Sequence, residues 1–214
     1  MKKILTFSLI AVSLAAANMS YASPYIGFGL GYTSAKITSH EVNTGTSINT
    51  KATSSLDGFN SLLFAGYNRR FKSLDDFNLG GEVNFTGYDV SSSWHNIGST
   101  GNIKNELIYS YGIDILPGFY IADNVNLFVI GGYQNGYFKF KQNGANTTYN
   151  KKKTLGAYDF GLGTNITLAN NFALRLMYKY TRFGGTKIRV GDTFTATKKP
   201  QSNQFVIGII YNFV

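Results

Sequence analysis

Five ionisable residues sit in stretches that are otherwise apolar and alternating. They are Glu82 in LGGEVNF, Asp114 in YGIDILP, Asp159 in AYDFG, and Arg175 and Lys179 in ALRLMYKY. Charge among Leu, Ile, Phe and Tyr is costly unless it is paired or wetted. Three acids with two bases can form a salt-bridged network with Arg175 and Lys179 as its cationic side, or they can line a gated ion path. A second group is purely basic: Lys139, Lys141, Lys151, Lys152, Lys153, Lys187, Arg189, Lys198 and Lys199. Such a field suits phosphates and acidic polymers, and it is equally the composition of a soluble, self-repelling surface. Catalysis has less to work with. His40 and His95 are far apart in the chain, and His95 lies in SSSWHNIG beside Trp94, with Ser91 to Ser93 nearby. A histidine beside serines without an orienting acid is a weak nucleophile pattern. No catalytic, cofactor-binding or metal-binding residue is assigned, and the absence of cysteine excludes disulfides and thiolate metal sites. Gly27, Gly29 and Gly31 imitate part of a dinucleotide fingerprint, but they lie within one alternating stretch with no helix after it.

The elements that must position these charges are strands. The chain ends QFVIGIIYNFV, with Phe205, Ile207, Ile209, Tyr211 and Phe213 on one face. The same comb appears in Ile26, Phe28, Leu30 and Tyr32 against three glycines, in SLLFAGY at 61–67, and in Phe77, Leu79, Val83 and Phe85. It continues in Leu107, Tyr109, Tyr111, Ile113 and Ile115, in Phe160 and Leu162, and in Leu174, Leu176, Tyr178 and Tyr180. NLFVIGGY at 126–133 is a strand that is apolar on both faces, so its orientation stays open. Three segments echo one another at intervals of 48 and 47 residues: SLDDFNL from 73, IADNVNL from 121 and LANNFAL from 168. Paired Asp/Asn residues between apolar flanks are tight turns. The spacing divides the chain after the N-terminal segment into four hairpins, with polar loops expected near 34–57, 89–104, 138–154 and 184–202.

The N-terminal MKKILTFSLIAVSLAAANMSYA has two lysines, an apolar run and small residues at its end, the pattern of a secretory signal over residues 1–22. It leaves a single domain over 23–214 and, without Lys2 and Lys3, a net charge of about +7 from the formal +9. Export disfavours nucleic acid as a partner for the basic runs. Eight strands, short turns at one end and long polar segments at the other describe an antiparallel up-and-down barrel that crosses a membrane. An even strand number lets the first strand pair with the last. An eight-stranded barrel has an interior just filled by side chains, so glycines and the five charges belong inside. The bulky combs then face lipid.

LPGFYIADNVNLFVIGGY, YDFGLGTNITLANNFALRLMYKYTRFG and the terminal IGIIYNF resemble the eight-stranded OmpA/opacity-type outer-membrane barrels along nearly the whole chain. The resemblance implies a Gram-negative outer membrane, surface-exposed loops, no cofactor and a terminal strand read by the barrel-assembly machinery. It also implies lipopolysaccharide, outer-membrane lipid and host surface molecules as partners, and an adhesin-like, structural role. A narrow channel is the alternative. Leu62, Phe64, Ile130, Val206 and Ile210 could line a path for small hydrophobic molecules, as in OmpW-like barrels, although the five charges argue against it. Lipid A-modifying barrels use a histidine followed two residues later by a serine, and that pattern is absent.

Overall fold

A computed structural model describes residues 22–43, 48–71, 76–96, 101–144, 148–169, 171–190 and 194–213. The signal expected over residues 1–22 falls outside them apart from Ala22. The strands are β1 (Ala22–Asn43), β2 (Ile48–Phe71), β3 (Phe77–Asn96), β4 (Gly101–Ala122), β5 (Val125–Gly144), β6 (Thr148–Ala169), β7 (Phe172–Phe183), β8 (Thr186–Val190) and β9 (Phe194–Asn212). Each pairs antiparallel with its neighbours, and β9 pairs with both β7 and β1, which closes the sheet. The short β8 continues the line of β7 beyond Gly184 and Gly185, so the barrel has eight staves. Closure is what membrane depth requires, because backbone N–H and C=O groups have no water to pair with there.

Which face meets lipid is decided by side-chain size. Ile26, Phe28, Leu30, Phe205, Ile207 and Ile209 are exposed on the outside, while Gly27, Gly29, Val206 and Ile210 turn inward. Rings gather at both rims of the apolar band. Phe77 packs edge-on against Phe119 and Phe172 against Tyr211 near the turns. At the other rim Tyr109 stacks on Tyr137, and Tyr133 meets Tyr158 edge-on. Two aromatic girdles about an apolar belt mark the two membrane–water interfaces.

The repeated turn carries a backbone lock. The carbonyls of Asp76, Asn124 and Asn171, the second Asp/Asn of each echo, accept the amides of Tyr120, Thr167 and Asn212 on the next hairpin at 3.1, 2.8 and 2.8 Å. Each turn is thereby fastened to its neighbour, which gives the repeat of 48 and 47 residues a physical cause. Asp76 has φ of 60°, a left-handed conformation that Asp tolerates better than most residues, and Arg70 bridges its carboxylate at 2.9 Å.

Two expectations are corrected, and one orientation left open is now fixed. The polar segments near 34–57, 89–104, 138–154 and 184–202 are mostly strand: β1 and β2 stay paired up to Asn43 and Ile48, and β5 and β6 up to Asn143 and Thr148. Their Thr, Ser, Asn and Lys side chains carry no apolar contrast, so the alternation is invisible although the ladder continues. Strands of 19 to 24 residues are about twice the ~9–11 that a bilayer needs, and the surplus projects beyond the upper girdle. Leu107 faces inward, not outward with Tyr109, because a bulge at Ile108 shifts the register. The strand that is apolar on both faces also has a definite orientation, with Phe128 and Ile130 inside and Leu127 and Val129 outside.

Ile209 is the central outward position of the closing comb. Ile209→Arg should destabilise the barrel by about 2–4 kcal/mol, the cost of a cation on the lipid face near the midplane. Guanidinium unfolding in lipid vesicles measures it; an unchanged midpoint would show that this face does not meet hydrocarbon.

Candidate functional site

The inward positions of the strands build the lumen in layers. At the turn end, a vestibule of about 270 Å³ is walled by Tyr25, Asn68, Arg70, Tyr120, Asn126 and Asn165, among others. Above it Tyr25, Leu62, Phe64, Leu116, Phe128, Ile130, Met177, Val206 and Ile210 form a buried apolar cluster. The five residues proposed as a hydrophobic path are therefore packed against one another and their neighbours.

Set into this cluster is the first ion pair. Arg175 Nη1 contacts Glu82 Oε2, Tyr25 donates its hydroxyl to the same oxygen at 2.9 Å, and Arg175 Nε donates to Asn165 Oδ1 at 2.9 Å. The guanidinium also lies 4.3 Å from the centre of the Phe64 ring, a cation–π contact in a dry site. Arg175 and Glu82 are almost fully buried, so each depends on the other for its charge.

Four residues further along β7, on the same inward face, Lys179 lies between two acids. Its Nζ is 3.4 Å from Asp159 Oδ2 and 3.6 Å from Asp114 Oδ2, so it is shared by both carboxylates without a short hydrogen bond to either. Asn84 donates to Asp114 Oδ2 at 2.8 Å, while Gln134 donates to Asp159 Oδ1 at 2.9 Å and to Thr181 at 2.8 Å. Glycines make the room. A Cβ at Gly132 would lie 1.9 Å from Asp114 Oδ1, and one at Gly27 would lie 2.2 Å from the Phe64 ring. At these two positions the inward side chains lie flat against bare backbone.

The five charges of the proposed network, Glu82, Asp114, Asp159, Arg175 and Lys179, are thus brought together inside the barrel. Tyr25, Asn84, Gln134 and Asn165 join them and were not anticipated. Gln134 lies on the strand whose two apolar faces hid its direction. A second apolar layer closes the axis above, with Ile37, Leu56, Val90, Leu107, Phe138, Phe140 and Phe183 all buried.

The basic residues divide between inside and outside. Lys198, expected on a surface loop, is buried in the upper lumen, where its Nζ donates to Asn105 Oδ1 at 3.0 Å and sits 4.7 Å from the Phe140 ring centre. It lies on β9, on the same face as Ser202, Gln204 and Val206, and the strand's continuation turns it inward. Lys139 and Lys141 on β5 are half-buried, Lys151, Lys152 and Lys153 on β6 are exposed, and so are Lys187 on β8 and Lys199 on β9. Arg189 lies on β8. Lys104 and Arg182, also outward, complete the field and had been overlooked because each stands alone in sequence.

On the outer wall Glu106 is held between Lys104 at 2.7 Å and Lys139 at 3.9 Å. The hydrogen bond from Lys104, and then the lysine charges, hold its carboxyl below the usual range against partial burial. Lys139 also lies opposite Lys152 in the ladder. The neighbouring Lys141 ammonium pushes the Lys139 ammonium below the usual lysine range. Near Lys199, a concavity of about 990 Å³ is lined by His40, Tyr158, Tyr180, Arg182 and Gln201, among others. The two histidines lie on different strands, His40 on β1 and His95 on β3, and among the described residues no cluster of acids and histidines could hold a metal.

The model of the outer membrane protein beta-barrel domain family matches residues 4–213. No curated protein matches the chain in sequence. Two solved structures share the fold. Neisserial surface protein A covers 90% of this chain and 99% of its own at 15% identity and a TM-score of 0.52. A major outer membrane protein from Thermus thermophilus covers 90% and 99% at 10% identity and 0.54. The attachment invasion locus protein of Yersinia pestis, solved with a heparin analogue, covers 89% and 99% at 17% identity and 0.45.

Arg175→Met leaves the Glu82 carboxylate buried without its cation and should cost about 3–5 kcal/mol. The double variant Glu82→Gln with Arg175→Met should recover most of that loss. Denaturant unfolding of both in vesicles checks this, and additive losses would show that the two charges do not act as a pair.

Proposed function

This chain belongs to the outer membrane protein β-barrel family and resides in the outer membrane, and from that premise we propose that it is a surface-interaction protein with basic strand extensions that bind anionic partners. The filled lumen carries this reading. Among the described residues two apolar layers around a set of ion pairs fill the lumen, which supports activity at the outer surface. In this reading Arg182, which pairs with the girdle residue Tyr158 in the ladder, and Lys199 meet lipopolysaccharide phosphates. Lys151, Lys152, Lys153 and Lys187 stand farther out, where acidic polymers of a host surface would meet them. The reading involves no enzyme chemistry and no cofactor. In it residues 1–22 direct export of the domain over 23–214, and Phe205, Ile207, Ile209, Tyr211 and Phe213 present the closing strand to the barrel-assembly machinery.

A narrow channel is the second reading. It is favoured by the vestibule at the turn end, whose Tyr25, Asn126 and Asn165 adjoin Arg175. Arg175 would then be the gate.

Changing Lys139, Lys141, Lys152, Lys153 and Lys199 to Gln should weaken binding to lipopolysaccharide-containing vesicles and to a sulfated polysaccharide by about tenfold or more, as expected if several charge contacts of a few tenths of a kcal/mol are lost. The parent protein should lose its binding as salt rises. Heat-modifiable migration on a gel confirms that the variant still folds; unaltered binding by a folded variant would remove the proposed contact. Planar-bilayer recording separates the second reading: the parent protein should show no steady conductance, and a current that changes in Arg175→Ala would favour the channel.

A further inference from the structure

The short turns of outer-membrane barrels face the periplasm, and the vestibule of about 270 Å³ opens at that end. Its walls differ from the rest of the lumen. Ser23, Asn68, Asn126, Asn165, Thr167 and Asn212 line it with amides and hydroxyls, and among the described residues around it none is acidic. The two guanidiniums within reach are already engaged. Arg70 bridges Asp76 at 2.9 Å and lies 4.2 Å from the Tyr120 ring centre, while Arg175 is bound to Glu82 and Asn165. A molecule entering here meets little uncompensated charge.

The floor of the vestibule carries the sharper signal. Beneath it is a crevice of about 10 Å³, lined by Asn78, Asn126, Asn165 and Arg175, among others. Such a space holds about one water-sized group. Two acceptors on its walls have no partner: Asn78 and Asn126 are 1% and 3% exposed, and the Oδ1 of each accepts no hydrogen bond within the protein. The Asn78 amide cannot simply turn over, because its nitrogen donates to Asn68 Oδ1 at 3.0 Å. Buried acceptors without a donor are uncommon and costly, so this pair calls for an O–H. A donor stands beside them. Asn165 is the ladder partner of Asn126, and its Oδ1 is turned to Arg175 Nε, a group that can only donate. The Asn165 nitrogen therefore points away from the guanidinium and has two N–H to give.

Acceptor and donor on directly opposed residues match two neighbouring hydroxyls, one donating and one accepting. Ala173 and Ile210, paired across β7 and β9, form an apolar side together with Phe213. The volume lies just below the ~300–1,000 Å³ of sites for drug-sized ligands, which suits one ring and not a chain. We propose that the vestibule binds a single uncharged sugar ring entering from the turn end. One hydroxyl sits in the crevice against Asn78 and Asn126, its neighbour accepts from Asn165, and the C–H face lies against Ile210 and Phe213. The site is at the mouth opposite the basic extensions and does not depend on the surface-interaction reading.

The test uses the full chain refolded in nanodiscs, which leave both mouths accessible, and methyl β-glucoside as the probe. The side-chain amide signals of Asn126 and Asn165 should shift saturably at millimolar glucoside, as expected for a ligand held by a few hydrogen bonds. Cyclohexanol has a ring of the same size and one hydroxyl, and it should bind about tenfold more weakly or worse. Asn126→Leu removes an unpartnered acceptor at similar volume. The variant should keep its heat-modifiable migration, be no less stable than the parent, and bind glucoside about tenfold more weakly or worse. A purely structural Asn126 would give the reverse, a less stable barrel with undiminished binding. Should the variant fail to fold, the comparison of glucoside with cyclohexanol on the parent protein decides alone. No saturable shift, an equal response to cyclohexanol, or undiminished binding by a folded Asn126→Leu would each overturn the proposal. So would inorganic phosphate shifting the same signals as strongly, since the vestibule would then be an anion site built on Arg70.

Discussion

Inside a bilayer, an unpaired backbone amide has no water to turn to, and this requirement organises the molecule. The β1–β9 ladder, from Tyr25 opposite Asn212 onward, meets it by joining the ends of the sheet. Once the ring is closed with eight staves, its inner diameter follows, and so does the volume that inward side chains must fill. The outward combs and the inward glycines are two results of that geometry. Large rings and branched chains can go only outside, and the few large residues that turn inward need bare backbone to lie upon. Phe64 over Gly27 and Asp114 over Gly132 are examples.

The interior then raises a second problem, because a space this narrow excludes most water yet holds five charges between its apolar layers, with Lys198 buried higher up. Arg175 is held by one acid, one amide and aromatic faces; Lys179 is held by two acids at longer range. The two arrangements differ in kind. The Arg175 site is close and directional, and removing one partner strands the other. The Lys179 site shares a point charge between carboxylates that also accept from Asn84 and Gln134. Placing both cations on β7 lets one strand join partners on three others, with Glu82 on β3, Asp114 on β4 and Asp159 on β6. The apolar layers above and below isolate these pairs and strengthen them electrostatically.

Much of this was legible in the residues, for a definable reason. Where lipid lies on one side and a packed lumen on the other, inward and outward positions differ in size and polarity, and alternation shows the strand. The Asp/Asn turns show because each must bend sharply and fasten to a neighbour. The contrast fails where both sides are aqueous. The paired extensions of β1 with β2 and of β5 with β6 look like loops because Thr, Ser and Lys serve equally well on either face. Lys198 was misplaced for the same reason, since nothing near it distinguishes a solvated lysine from one donating to Asn105 inside the barrel. The bulge at Ile108 is a third case: one added residue inverts Leu107, and a short apolar run gives no sign of where the count changes.

The failure of contrast above the girdle also explains where the wall is allowed to part. Below Tyr158 an unpaired strand would leave several peptide groups in hydrocarbon, at a cost no local packing could recover. Above it, water satisfies the same groups, and the constraint that closed the ring no longer applies. Gly184 and Gly185 lie at that boundary. A Cβ at either would meet no atom closer than 3.4 Å, so the break does not arise from crowding. β6 loses its neighbour β7 beyond Ala157, where it leaves the membrane.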